Sequence, residues 1–300
     1  MRIFVTGATG FIGSAVVHQL IQGGHEVLGL TRSEDGARQL EAAGAKAHRG
    51  SLEDLDGLRR GADSADAIIH CAFDHDFSKY LDNCEQDRRV ITALGTALRG
   101  TNRPLVITSA TSLGSVKAGQ WATEADFHGD LGNPRVRSEL AAVDLIQEGV
   151  NVSVVRLPQV HDPVKHGLIT FLITLARQKG VAAYVGEGTQ RWPAGHVEDV
   201  ARVYLGAVER GARGARYHAV AEDGIATCDI ATVIGNGLGL PVVSVPEQDA
   251  AAHFGWLAMF AQHDIPASSA WTRETLGWAP KGPSMLVDLA DGLARGVTAG

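Results

Sequence analysis

Val5-Thr-Gly-Ala-Thr-Gly-Phe-Ile-Gly-Ser-Ala-Val16 is the stretch whose reading decides the fold. A short apolar run (Ile3, Phe4, Val5) precedes it, and a helical pattern carrying Ile12, Val16, Val17 and Leu20 follows. Gly7, Gly10 and Gly13 therefore fall on a strand end, a tight turn and the first turn of a helix. Such a turn suits a nucleotide pyrophosphate. Gly7 allows the sharp bend, Gly10 lets backbone N–H groups approach phosphate oxygens, and Gly13 lets the helix pack close to the strand. The unpaired N–H groups and positive end of the helix favour the anion. The spacing is G-x-x-G-x-x-G, so the strand-turn-helix context carries more of the inference than the glycines do.

Outward from this stretch the chain alternates strand and helix. Glu26–Leu30, Lys46–His48, Ala67–His70, Pro104–Thr108 and Asn151–Leu157 read as strands; Glu34–Ala43, Leu55–Gly61, Lys79–Leu98 and Arg135–Gln147 read as helices. Near-continuous apolar strands joined by such helices predict an α/β fold with a doubly wound parallel sheet buried on both faces. After Pro158 the rhythm is irregular, with helices at Leu168–Lys179 and Val197–Glu209 and strands at Val181–Val185 and Tyr217–Val220. The organisation expected is a Rossmann domain over residues 1–157, to which about 190–220 return. A smaller mixed substrate-binding lid and C-terminal region covers 158–300. The Trp256, Met259, Phe260 group and Phe171, Leu172, Leu175 recur at helical spacing, which predicts core or lid packing.

Composition limits the function classes. The 300 residues carry a net charge of −7, which argues against nucleic acid or an anionic membrane as partner. No apolar run reaches transmembrane length and the N-terminus enters strand and turn directly, so neither a membrane span nor a signal peptide is expected. The three cysteines, Cys71, Cys84 and Cys228, form no C-x-x-C pair. A reduced, cytoplasmic setting is expected.

The chain resembles the short-chain dehydrogenase/reductase superfamily, in its extended or atypical, NAD-dependent epimerase/dehydratase-like branch. The resemblance rests on ordered landmarks: Thr6-Gly-Ala-Thr-Gly-Phe-Ile-Gly13, Ala67-Ile-Ile-His-Cys-Ala72, Thr108-Ser-Ala-Thr-Ser-Leu-Gly114, Val154-Val-Arg-Leu-Pro158, His196-Val-Glu-Asp-Val-Ala201 and Leu276-Gly-Trp-Ala-Pro280. It implies a dinucleotide held by Gly7, Thr9, Gly10, Phe11, Ile12 and Gly13, with Cys71, Ala72 and Leu157 beside it. In place of the acid that binds a ribose 2′-hydroxyl, the second strand ends Leu30-Thr31-Arg32-Ser33. Arg32 can meet a 2′-phosphate, with Thr31 and Ser33 adding hydroxyls, so NADP is expected before NAD. Ser51, followed by Leu52, stands where the family often has an adenine-contacting Asp. The resemblance also implies a homodimer formed through Lys79–Leu98 and Arg135–Gln147.

Catalysis is where the chain departs from the resemblance. The family works with a Ser and a Y-x-x-x-K pair, the Tyr moving a proton while the Lys lowers its pKa. Ser109 matches the Ser. Aligned on Pro134 and Ser138, Arg135 stands in the Tyr place and Glu139 in the Lys place. A guanidinium does not shuttle protons; Arg135 can bind a substrate carboxylate or phosphate or polarise a carbonyl. Glu139 is a general base if buried, or an i, i+4 partner of Arg135. Ser109, Glu139 and Arg135 are thus the catalytic candidates, with Tyr80 and Lys79 as remoter proton sources.

Other groups are substrate candidates. His70-Cys-Ala-Phe-Asp-His-Asp76 follows no common metal spacing, so no metal is expected and His75 is placed at the site mouth. His161 and His166 follow the sixth strand at the ligand-binding edge and can supply acid/base chemistry. Thr111 lies beside Ser109, with no G-x-S-x-G elbow around either. An oxidoreductase acting on a hydroxyl or carbonyl carbon of a small organic or sugar-like substrate is the leading expectation. The alternatives are an NADP(H)-binding sensor without turnover and a sugar-nucleotide epimerase or dehydratase.

Overall fold

The computed structural model describes residues 1–114, 120–129 and 132–297. The N-terminal half runs β1 (Arg2–Thr6), α1 (Phe11–Gln22), β2 (Glu26–Thr31), α2 (Glu34–Ala42), β3 (Lys46–Arg49), α3 (Leu55–Asp63), β4 (Ala67–His70), α4 (Tyr80–Thr96), β5 (Leu105–Ala110), α5 (Val136–Gln147) and β6 (Val152–Leu157). The remainder runs β7 (Gln159–His161), α6 (Ile169–Lys179), β8 (Ala182–Val185), β9 (Arg191–His196), α7 (Val197–Arg210), β10 (Arg216–His218), β11 (Glu222–Ala226), α8 (Thr227–Leu238) and β12 (Val242–Val245). The short helices α9 (Ala250–Phe254), α10 (Ala258–Ala261) and α11 (Ala270–Leu276) follow, and α12 (Met285–Arg295) ends the described chain.

Seven strands form one parallel sheet in the order β10-β6-β5-β4-β1-β2-β3. Strand alternation explains why both faces are buried. Ile3, Val5 and Ile69 pack with Val16, Val17 and Leu20 of α1 and Val200, Val203 and Tyr204 of α7. Phe4 and Ile68 turn the other way, onto Leu58 of α3, Val90 and Leu94 of α4 and Leu145 of α5. The strand order reverses between β1 and β4, where Thr6 pairs with His70. In open α/β sheets that reversal opens a crevice for ligand at the carboxyl ends of the strands.

The chain after β6 builds a second layer. A small sheet β11-β9-β7 and the pair β12-β8 pack with α6, α8 and α12 around Ile173, Trp192, Ile230 and Leu289. The fifth strand runs two residues past its expected end, to Ala110, because Ser109 and Ala110 keep pairing with Arg156 and Leu157. Among the described residues, no helix is long and apolar enough to cross a membrane.

Candidate functional site

The glycine turn is built as its sequence requires. Gly7 has φ +68°, and a Cβ there would lie 2.7 Å from the Ala72 nitrogen. The Gly10 N–H donates to the Gly7 carbonyl at 2.9 Å, closing the turn. A Cβ on Gly13 would stand 2.0 Å from the Gly7 oxygen, so only glycine lets α1 start this close to β1. No side chain caps α1 at Gly10. Its first-turn N–H groups, at Phe11, Ile12 and Gly13, lack intrahelical acceptors by the nature of a helix start. Thr9 and Gly10 are exposed beside them, and Cys71 donates its N–H to the Thr6 carbonyl at 3.2 Å. These features fit a dinucleotide pyrophosphate.

At the far end of the crevice, Arg32 and Ser33 are exposed and Thr31 is buried. The Ser33 hydroxyl caps α2 by accepting the Gly36 N–H at 3.0 Å, which leaves its own proton to donate. Arg49 donates to the Arg32 carbonyl at 3.3 Å and pairs with Glu34 at 3.1 Å. Ser51 and Leu52 are half-buried at the end of β3. The Ser51 hydroxyl, with Arg32 further off, holds the Glu53 carboxyl below its ordinary pKa.

At the ends of β5 and β6 the Ser109 hydroxyl is buried beside the Glu139 carboxylate, while Thr111 Oγ1 donates to the Leu157 carbonyl at 3.4 Å. Burial drives the neighbouring Cys71 thiol up to about 12, which keeps it protonated. The side chains of α5 take an arrangement the sequence reading did not foresee. Arg135 Nη1 donates to Asp87 Oδ2 at 2.6 Å and to Ser138 Oγ at 2.7 Å, and Nη2 donates to the Thr108 carbonyl at 2.9 Å. The ring of Phe73 covers the guanidinium at 4.1 Å. Asp87 also accepts from Ser138 Oγ at 2.5 Å and from His70 Nε2 at 2.9 Å, while His70 Nδ1 shares a hydrogen with Thr6 Oγ1 at 2.6 Å. A buried polar chain thus runs from the glycine strand through α4 to α5. Burial alone would raise the Asp87 carboxyl, but Arg135, His70 and Ser138 outweigh it and hold the pKa at about 2.

Glu139 pairs across to the sheet rather than along the helix with Arg135. Its carboxylate takes Arg156 Nε at 2.7 Å, Arg156 Nη2 at 2.9 Å and Arg216 Nε at 3.0 Å. Glu139 and Arg156 are each fully buried. Burial works against ionisation here, yet Arg156, with help from Ser109 and Arg216, holds the carboxyl below its ordinary pKa.

His161 and His166 form a different cluster. His161, fully buried, bonds Asp288 Oδ2 through Nδ1 at 2.7 Å, and its ring meets His196 edge-on at 5.7 Å. His161 Nε2 closes no hydrogen bond among the described residues. Between them the loop brings Lys165 Nζ 5.5 Å from the Phe11 ring, facing the glycine turn. Burial first, and the His196 and His166 charges next, lower the His161 pKa to about 3. The unfolded ring binds its proton near pH ~6.5, whereas the folded ring stays neutral down to about 3. The unfolded state therefore holds more protons in that window, and acidification from about pH 6.5 should destabilise the fold. Urea unfolding of wild type and His161→Asn at pH 7 and 4.5 checks this; an equal loss in both would contradict it.

His75 is exposed, its ring edge-on to Phe73 at 5.2 Å. The Tyr80 hydroxyl donates to Asn133 Oδ1 at 3.2 Å, and burial raises its pKa. Lys79 pairs with Asp76 at 3.6 Å. Asp87 and Arg156 are the residues the sequence reading passed over. Asp87 carried a signal: it lies among Asn83, Cys84, Val90, Ile91 and Leu94 on the buried face of α4, where a carboxylate needs a partner.

Comparison with known proteins accords with this architecture. The family model described as "NAD dependent epimerase/dehydratase family" matches residues 3–221. An uncharacterized protein of Schizosaccharomyces pombe is 46% identical over 97% of this chain and 98% of its own length. A UDP-glucose 4-epimerase of Streptomyces lividans is 27% identical, covering 93% of this chain and 91% of that protein. Among solved structures, the dTDP-glucose 4,6-dehydratase of Streptomyces venezuelae, with NAD bound, superposes with a TM-score of 0.76. That match covers 99% of this chain and 96% of the other at 22% identity, a likeness of fold. This chain belongs to the NAD dependent epimerase/dehydratase family, whose members bind NAD(P).

Proposed function

We propose that the protein is an NADP(H)-preferring oxidoreductase that moves hydride at a hydroxyl or carbonyl carbon of a small organic or sugar-like molecule. The observation that carries this reading is the Ser109 hydroxyl, buried at the end of the strand beside β4 and the glycine crevice and next to the Glu139 carboxylate. A hydroxyl can turn its single proton from that carboxylate to a ligand oxygen. The nicotinamide, when bound, supplies or accepts the hydride. Ser109 donates to the reacting oxygen and orients it. Residues 1–157 and about 190–220 hold the cofactor, and the later chain covers the substrate.

Arg135 and Glu139 act here as positioning residues. Both are committed to buried ion pairs, so neither is left to move a proton. The proton source is then water or a group such as Tyr80, His75, His161 or His166. The same commitment favours a second reading, a cofactor-binding sensor without turnover. It weighs against a sugar-nucleotide epimerase or dehydratase, which needs a proton shuttle at these positions. Broad screening of carbonyl compounds for oxidation of bound NADPH separates the readings: steady oxidation supports the enzyme, and tight binding without oxidation supports the sensor.

Preference for NADP rests on exposed Arg32, with Ser33 and Thr31 beside it and Arg49 bracing its carbonyl. A charge-assisted hydrogen bond contributes about 1.5–3 kcal/mol. Arg32→Ala should therefore weaken NADPH about tenfold or more while leaving NADH nearly unchanged, as read by fluorescence titration. An unchanged NADPH preference would overturn the assignment. We further propose a homodimer through α4 and α5, where Leu81 and Leu140 are exposed. Light scattering should then return twice the 31.6 kDa chain mass. A cytoplasmic setting completes the proposal.

A further inference from the structure

The connection from β4 to α4 leaves the cofactor crevice as a series of rings. Cys71 and Ala72 crowd Gly7, and Phe73 follows directly, its face on Arg135. Phe73 meets Tyr80 edge-on at 6.4 Å, and Tyr80 lies 5.6 Å from Phe77. Phe77 stacks on Trp256 at 4.6 Å with 18° between the planes. Phe77 also meets Phe171 of α6 at 5.9 Å and Phe260 of α10 at 6.3 Å, both edge-on. The rings thus cross from the carboxyl edge of the parallel sheet to the C-terminal layer.

Two of these rings are partly in solvent. Trp256 is 42% and Phe171 37% exposed. By contrast, Trp192 and Tyr204, which do belong to the core, are 1% and 0% exposed. Phe77 and Trp256 stack in contact while Trp256 and Phe171 stay partly in water, so the outer face of the cluster can accept a further apolar surface. Charge on the same rim selects further. Asp74, Asp76 and Asp82 are exposed along the connection, Lys79 is paired with Asp76, and Arg135 with Asp87. Those carboxylates repel a diphosphate, and the cations beside the rings, Lys79 and Arg135, are already paired.

We propose that the substrate is an uncharged aromatic ketone or aldehyde, or the corresponding alcohol, whose ring packs on the exposed face of the Phe77–Trp256–Phe171 cluster, rather than a nucleotide diphosphate sugar. The proposal rests on the oxidoreductase reading above and narrows its substrate class. The reacting carbon sits toward Ser109, and the ring extends the Phe77–Trp256 stack.

Calorimetry on the full chain saturated with NADP+ tests this with benzaldehyde, acetophenone and cinnamaldehyde against UDP-glucose and dTDP-glucose. Aromatic carbonyls should bind, and the nucleotide sugars should not. Phe77→Ala and Trp256→Ala should each weaken the aromatic ligands about tenfold or more, with NADP+ affinity and the circular dichroism spectrum unchanged. Phe77→Leu and Trp256→Phe should fall between, which covers the case of a poorly folded alanine variant. Binding of a nucleotide sugar would overturn the proposal, as would aromatic affinity indifferent to these variants or absent altogether. Failure of NADP+ itself to bind would instead remove the cofactor reading on which the proposal stands, and the proposal with it.

Discussion

Glu139→Ala should destabilise the protein by about 3–5 kcal/mol, the cost of stripping one partner from a buried ion pair. Glu139 and Arg156 are fully buried, and Arg216 joins them on the same carboxylate. Removing that carboxylate leaves two guanidinium groups side by side with no counter-charge, and His218 Nε2 lies only 3.3 Å from Arg156 Nη1. At about 2–4 °C per kcal/mol for a chain somewhat smaller than this one, the melting temperature should fall by roughly 10 °C. Glu139→Gln, which keeps an acceptor, should lose less. Combining Glu139→Ala with Arg156→Met should recover part of the loss, because a buried pair is costly chiefly when half of it remains. Thermal unfolding followed by circular dichroism gives the numbers. A loss under about 1 kcal/mol, the range of an exposed ion pair, would mean that Arg156 is satisfied without Glu139, and the carboxylate would again be a candidate base.

Gly13→Ala should weaken cofactor binding by up to about a hundredfold while leaving the fold. The added Cβ would stand 2.0 Å from the Gly7 oxygen and 2.7 Å from the Gly7 carbonyl carbon, both backbone atoms fixed by β1. No side chain can swing aside to make room. The start of α1 must move away from the strand, and with it the N–H groups at Phe11, Ile12 and Gly13 that would face the pyrophosphate. Overpacking of this kind costs about 1–3 kcal/mol or more, so NADPH affinity should drop by up to about a hundredfold. Fluorescence titration of NADPH, beside a circular dichroism spectrum matching wild type, checks it. Full affinity in the variant would place the cofactor elsewhere.

The parallel sheet was legible because it depends on local patterns: apolar strands, helices of matching length, and glycines where only glycine fits. The glycine turn was legible for the same reason. Arg135 and Glu139 were visible as unusual residues, but their partners were not. Asp87 lies on α4 and Arg156 on β6, and only the sheet order brings them against α5. Helical spacing suggested that Arg135 and Glu139 pair with each other; buried acceptors and donors across the fold outcompete that exposed-surface geometry. His161 shows the same limit. Its place after β6 marked it as near the ligand edge, yet Asp288, far along the chain, decides its environment. The aromatic rim escaped for a related reason, since Phe77 and Trp256 belong to segments with no local periodicity in common.

Single-turnover oxidation of bound NADPH, followed by absorbance on mixing with the aromatic carbonyls, bears most directly on the account. Wild type should oxidise the cofactor, and Ser109→Ala should slow that step about a hundredfold, the scale of one lost donor at a reacting oxygen. Arg135→Lys should change the rate far less and leave its pH profile in shape. Tight NADPH binding with no oxidation by any carbonyl compound, or oxidation indifferent to Ser109, would contradict it.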